Sequence, residues 1–215
     1  MPQAIERLPS GPIDVIGDIH GELDALLALL DHLGYNRFGQ HPEGRKLIFL
    51  GDLVDRGPDS PGVVEKVSAL VFAKRAMCLL GNHELRLLNQ IHKPENGWTS
   101  PEMSQRAQKR GWDAPMRIAH PLQLRAALTF FSQLPLALIR DDLRLIHATW
   151  HEESLGKLPQ LVGSWSAIFA RFRRNTYSEL KSRGWTRRKV SQLKNRYDLF
   201  VGPDQQTPPP LIPEL

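Results

Sequence analysis

The chain's pattern predicts an α/β fold of mixed β-sheets flanked by helices. Three observations carry that prediction. Short apolar runs, Ile13 to Ile16, Leu47 to Leu50 and Met77 to Leu80, read as strands. Each run meets a polar cluster that contains glycine: Gly17-Asp18-Ile19-His20-Gly21, Gly51-Asp52-Leu53-Val54-Asp55-Arg56-Gly57 and Gly81-Asn82-His83-Glu84. A helical pattern follows each cluster. The clusters therefore leave one edge of one sheet, at the carboxyl ends of its strands, where open α/β sheets hold ligands.

In order, residues 1–12 carry Pro2, Pro9 and Pro12 and read as an irregular lead-in. A strand covers Ile13 to Gly17. A helix from Glu22 to Leu33 has apolar residues at 23, 26, 27, 30 and 33, with Gly34 as its stop. A polar loop leads to a second strand, Arg45 to Leu50. Pro58 and Pro61 mark the start of a helix from Ser60 to Lys74. A third strand, Ala76 to Leu80, precedes a helix from His83 to His92. Residues 93–115 are polar and hold Pro94, Gly97, Pro101, Gly111 and Pro115; they read as a loop or short helices over the mouth of the site. A helix from Pro121 to Ser132 leads to a hairpin, Leu136 to Ile139 and Leu143 to His147, turning at Asp141-Asp142.

Beyond Glu152 the strand signal fades. Residues 164–197 read as a basic helical segment, and residues 203–215 as a proline-rich, extended tail. A length of 215 residues suits one domain, 1–215, able to bury a core. The one cysteine, Cys78, lies inside an apolar run, which reads as a small core residue in a reducing compartment. The start of the chain has no apolar block, and its longest run of core-type residues there, Ala25 to Leu30, is too short to span a bilayer. The expectation is a cytoplasmic protein with no membrane partner.

The net charge of +5 is unevenly spread. Residues 171–196 hold ten Lys or Arg against one acid, so the rest of the chain is net negative. Three readings of that basic segment are open. In order of preference they are a solvated helical face, a docking surface for an acidic or phosphate-rich substrate, and a nucleic-acid surface. Trp165, Phe169, Phe172, Tyr177 and Trp185 interleave with the charges as stacking platforms would.

The clusters carry chemistry. Asp and His bind divalent metals through oxygen and imidazole nitrogen, and Asn adds a neutral oxygen. Strands ending in such residues can hold two ions about 4 Å apart, bridged by one carboxylate. Glycine at these junctions lets backbone approach closely and allows positive φ.

Asp18-x-His20-Gly21, Gly51-Asp52-x-x-Asp55-Arg56-Gly57 and Gly81-Asn82-His83-Glu84, in that order, resemble the calcineurin-like metallophosphoesterases. The Asp55-Arg56-Gly57 ending is most similar to the phosphoprotein phosphatase branch, with its bacterial serine/threonine phosphatases and symmetric diadenosine tetraphosphatases. The likeness is dense over residues 13–92 and returns at Leu145-Ile146-His147-Ala148.

The resemblance implies a sandwich fold and two divalent metal ions, Mn or Fe for a ligand set without thiolates. It implies that Asp18 and His20 bind the first metal, Asp52 bridges, and Asn82 and His147 bind the second. His83 would give a proton to the leaving oxygen, Asp55 would hold its ring, and Arg56 would clamp the phosphoryl oxygens. The implied reaction is in-line attack on phosphorus by hydroxide that the cations make available near neutral pH. Glu84 reads as a first-turn helix acid, and Arg86 as a residue that can face the pocket.

One part of the family pattern is missing. The family carries a later Gly-His on a strand, and this chain has no Gly-His after residue 147. His151 is the last histidine and stands as a substitute ligand; the proline tail points instead to a domain incomplete at its C-terminal end. The expected activity is hydrolysis of phosphomonoesters, phosphoproteins among them. The rival is symmetric hydrolysis of a dinucleoside tetraphosphate, and a reading of another class is a non-catalytic phosphate- or RNA-binding protein.

Overall fold

The computed structural model describes residues 3–112, 115–158, 162–182 and 184. The chain divides into two compact units, residues 1–166 and 167–215. Among the described residues, the first holds six strands in two sheets. β2 (Ile13–Ile16), β3 (Lys46–Phe49) and β4 (Ala76–Cys78) are mutually parallel, with β3 in the centre. β1 (Ile5–Arg7) pairs parallel with β5 (Ala137–Arg140), which pairs antiparallel with β6 (Leu143–Ile146). One sheet is thus wholly parallel and the other mixed.

The two sheets share a core. Ile48 of β3 and Leu79 beyond β4 pack in one buried cluster with Leu8 and Leu138 from the β1-β5-β6 sheet. A backbone bond ties the layers at their rim, the Leu80 amide donating to the Pro135 carbonyl at 2.9 Å, while the Leu8 amide extends the β1–β5 ladder by donating to the Ile139 carbonyl at 2.9 Å. β3 is buried over Leu47, Ile48 and Phe49, as a central strand covered on both faces must be. Cys78 is buried in this core, and burial, with the nearby Glu84 charge, pushes its thiol pKa well up.

The first unit's helices are α1 (Leu23–His32), α2 (Ser60–Phe72), α3 (Asn82–Leu88), α4 (Pro101–Gln108), α5 (Pro121–Phe131) and α6 (Glu152–Lys157), and α7 (Trp165–Ser182) runs from its end into the second. α2 begins where the prolines put it. Asp59 caps it, accepting from the Gly62 amide at 2.7 Å, and Pro61 sits in the first turn. α3 is shorter than the expected His83 to His92. It ends at Leu88, and Gln90 takes a left-handed φ of 54° that no helix continues through.

The polar stretch 93–115 holds a 3₁₀ segment, Pro94–Thr99, and α4, whose cap Ser100 accepts from the Met103 amide at 3.2 Å. The lead-in expected to be irregular contains β1. In the second unit the expected basic helix is helical to Ser182. The rest of 164–197, apart from Gly184, and the whole 203–215 tail lie outside the described residues. Among the described residues no helix is long and apolar enough to cross a membrane.

Candidate metal centre

The register of the parallel sheet builds the site. Ile16, Phe49 and Cys78, the last residues of β2, β3 and β4, stand abreast, so the three polar clusters emerge side by side. The first two loops are stitched together. The Ile19 and His20 amides both donate to the Asp52 carbonyl, at 3.0 and 2.9 Å, and the Gly57 amide donates to the His20 carbonyl at 2.8 Å. Glu84 joins the third. Its buried carboxylate accepts from the amides of Asp52 (2.9 Å), Leu53 (2.8 Å) and Gly81 (3.0 Å). Burial and the Asp52 charge push the Glu84 pKa up to about 7, and the Asp52 and Leu53 amides pull against that. Glu84 is therefore more than the first-turn helix acid its position suggested: it fixes the Asp52 loop to the start of α3.

At two of the junctions the absence of a Cβ is required. Gly51 has φ of 98°, and a Cβ there would lie 2.4 Å from the Gly81 amide nitrogen. A Cβ on Gly81 would lie 2.2 Å from the Asp52 amide nitrogen. Gly17 does not share this constraint, since a Cβ there meets nothing within 4 Å.

The ligand-type side chains converge on Asp52. His20 Nε2 lies 3.6 Å from an Asp18 oxygen and 3.8 Å from Asp52 Oδ2. His147 Nε2 lies 3.4 Å from Asp52 Oδ1 and 3.3 Å from Asn82 Oδ1. Each imidazole is turned by its other nitrogen. His20 Nδ1 bonds the Val54 carbonyl at 2.9 Å, and His147 Nδ1 bonds that of Leu50 at 2.9 Å. A carbonyl only accepts, so both Nδ1 atoms carry a proton, and each ring is turned with Nε2 toward the oxygens, where a cation would meet its lone pair. His20 Nε2 is the one buried side-chain nitrogen or oxygen without a partner among the described residues. Lone pairs facing lone pairs across 3–4 Å repel unless positive charge stands between them. The donor set Asp18, His20, Asp52, Asn82 and His147 thus fits divalent cations on the structure's own terms. His151 belongs to none of the ligand groups among the described residues.

His83 stands beside this cluster, its ring nitrogen grouped with a His20 nitrogen and an Asp52 oxygen, and has further partners of its own. Its amide donates to Asp52 Oδ1 at 3.0 Å, while its ring Nδ1 donates to Asp55 Oδ2 at 2.6 Å. Nε2 lies 3.7 Å from Asp52 Oδ2 and 3.4 Å from Arg86 Nη1. Burial opposes charge on this ring. The hydrogen bond to Asp55 and the charges of Asp52 and Asp55 outweigh it, with Arg86 subtracting, so the pKa lies above 6.5. Arg86 is held by Glu95 at 3.3 Å and does face the pocket. Arg56 is exposed, and its guanidinium makes no polar contact with the described residues.

Strain gathers here too. His20, Asp52, Asp55 and Arg56 all take positive φ, at 48°, 50°, 74° and 68°. Such backbone costs on the order of 1–3 kcal/mol per residue and persists where surroundings over-determine it, typically at functional sites. Two contributors escaped the sequence reading. Trp98 and Glu95 lie in the 93–115 stretch, and their signals were a lone tryptophan and an acid in an otherwise polar insertion.

Residues 11–201 match the calcineurin-like phosphoesterase family model. The chain belongs to that family. This phosphoesterase-family chain is 51% identical over 73 residues to an asymmetrical bis(5'-nucleosyl)-tetraphosphatase PrpE of Halalkalibacterium halodurans, a match covering 33% of this chain and 30% of that one. It is 33% identical over 159 residues to the PrpE of Geobacillus thermodenitrificans, covering 70% of this chain and 62% of the relative. The chain thus spans between about a third and three fifths of the length of these curated relatives. A solved structure of a protein serine/threonine phosphatase from Saccharomyces cerevisiae, with similarity to human phosphatase PP5, is 23% identical with a TM-score of 0.44, covering 65% of this chain and 39% of that one. The family works with divalent metals, and the clustered ligand residues suit them.

Proposed function

We propose that this family member is a metal-dependent phosphoesterase that hydrolyses phosphomonoesters, phosphoproteins among them. The observation that carries the reading is the acceptor-only cluster around Asp52, with the buried, partnerless His20 Nε2 at its centre. Asp18, His20, Asp52, Asn82 and His147 would hold two divalent cations, Mn²⁺ or Fe suiting an oxygen and nitrogen set. When bound, such ions supply Lewis acidity toward phosphoryl oxygens and acidify water.

The chain's own residues would do the rest. Asp52 is oriented by the His83 amide and cannot swing away from the cluster. His83, its Nδ1 held by Asp55, would offer a proton from Nε2 to a leaving oxygen. The exposed Arg56 guanidinium, free of protein partners among the described residues, is available to fork two phosphoryl oxygens. The test is turnover with Mn²⁺ of an aryl phosphate, a panel of phosphopeptides and diadenosine tetraphosphate. Asp52→Asn should abolish hydrolysis with the fold intact, and an unchanged rate contradicts the reading.

One observation favours dinucleoside tetraphosphate as the substrate. Arg86 Nη1 stands 3.4 Å from His83 Nε2, beside the atom from which the proton leaves. An alcohol leaving group needs that proton; a nucleotide leaving group is already a stable anion and gains more from a cation. The relatives' names add weight, and they specify asymmetrical cleavage, not the symmetric cleavage of the sequence-based rival. Arg86→Gln should then slow diadenosine tetraphosphate hydrolysis more than aryl phosphate hydrolysis. Equal slowing counts against this second reading.

A further inference from the structure

We propose that Trp98, on the insertion between α3 and α4, is a positioning residue for proton transfer: its indole locks the Asp55 carboxylate that orients His83. The proposal rests on His83 as the proton donor.

Trp98 is fully buried, and its Nε1–H donates to Asp55 Oδ1 at 2.6 Å. The other oxygen, Oδ2, takes His83 Nδ1 at 2.6 Å. A carboxylate held through one oxygen can still turn about its own axis and carry the bonded ring with it. Held through both, in a plane fixed by two short bonds, it cannot. Asp55 needs such holding, since its backbone is left-handed and its amide is already spent on Ser60 Oγ at 2.9 Å. The indole has one donor and no acceptor, so it can serve the carboxylate but cannot take the proton itself.

The insertion is tethered to the same corner by two further bonds. The Arg56 amide donates to the Glu95 carbonyl at 3.3 Å, and the Ala119 amide to the Trp98 carbonyl at 2.8 Å. The 3₁₀ segment Pro94–Thr99 is thus the back wall of the Asp55–His83 pair, and Trp98 is its point of contact with the chemistry.

Two measurements test this. The first uses the ratio of kcat on phenyl phosphate, a poor leaving group that needs a proton, to kcat on 2,4-dinitrophenyl phosphate, which does not. General-acid help is worth about 10²–10⁴-fold, so Trp98→Phe should lower that ratio by about tenfold or more with KM little changed. His83→Ala is the control. If His83→Ala lowers the ratio and Trp98→Phe does not, the Trp98 proposal falls alone; if neither lowers it, the reading of His83 falls with it.

Trp98→Phe also removes bulk, so the same ratio is measured with β-(3-benzothienyl)alanine at position 98, which keeps the bicycle and replaces N–H by sulfur. An unchanged ratio there overturns the proposal. The second measurement needs no turnover. In the metal-free protein the Trp98 indole proton should exchange slowly and resonate downfield, and Asp55→Asn should shift it. Rapid exchange at a solvent-exposed indole shift would overturn the proposal.

Discussion

Gly17 and Gly81 both lie past the end of a strand of the parallel sheet, Gly17 directly after Ile16 and Gly81 three residues after Cys78, yet they should respond to the same substitution in opposite ways. Gly81 has φ of −83° and ψ of 171°, ordinary extended backbone that alanine adopts freely. Gly17 is not left-handed either. Backbone conformation therefore penalises neither Gly17→Ala nor Gly81→Ala, and each gains about 0.4–1 kcal/mol from a stiffer unfolded chain. Space decides the sign. At Gly17 a Cβ meets nothing within 4 Å, so Gly17→Ala should be neutral or stabilising within that range.

At Gly81 the new Cβ would lie 2.2 Å from the Asp52 amide nitrogen, 2.4 Å from Asp52 Oδ1 and 2.5 Å from Glu84 Oε2. Normal contact needs each to retreat by roughly 1 Å. Two of the three atoms are joined by a hydrogen bond, Asp52 N to Glu84 Oε2, so neither can yield without breaking it. Overpacking of this kind costs about 1–3 kcal/mol, and a lost buried hydrogen bond adds about 1–3 kcal/mol. After the unfolded-state gain, Gly81→Ala should be destabilised by about 1–5 kcal/mol. Urea unfolding of the two variants and the parent, compared at equal m, gives both numbers. Gly81→Ala as stable as Gly17→Ala would refute the claim that the exits of β3 and β4 are pressed together around Asp52.

Two other outcomes follow from buried and paired groups. Glu84→Ala orphans three backbone amides, and it should lower stability by upward of about 2 kcal/mol in urea unfolding. The Asp14 carboxyl lies below its ordinary pKa, chiefly through its hydrogen bond to Arg45, with burial opposing and Tyr35 assisting. A depressed carboxylate adds stability that is complete above its unfolded pKa and is lost as pH falls through the folded one. Acid titration of the thermal midpoint below about pH 4 should thus fall more steeply for the parent than for Asp14→Asn, and parallel curves would speak against it.

The three strand exits were legible because each couples a local apolar run to a polar cluster, and the parallel register needed nothing more to bring Asp18, His20, Asp52, Asn82 and His83 together. The hairpin carrying His147 was legible for the same reason. β1 was not. Its three residues have no periodicity of their own, and Ile5 finds its partner at Ala137, far along the chain. Nor was the end of α3, which depends on one residue's left-handed turn at Gln90. Glu84 looked like a helix-end acid because its amide partners Asp52 and Leu53 arrive from another loop. Trp98 was read only as part of a polar insertion, because Asp55, which gives it a purpose, lies 43 positions away.

Everything turns on whether positive charge belongs among those facing lone pairs. Bound manganese, counted per chain after reconstitution and removal of free ion, measures that directly. The account predicts close to two ions on the parent protein and a clear loss on Asp52→Asn. No retained metal, or the same number on both proteins, would contradict it.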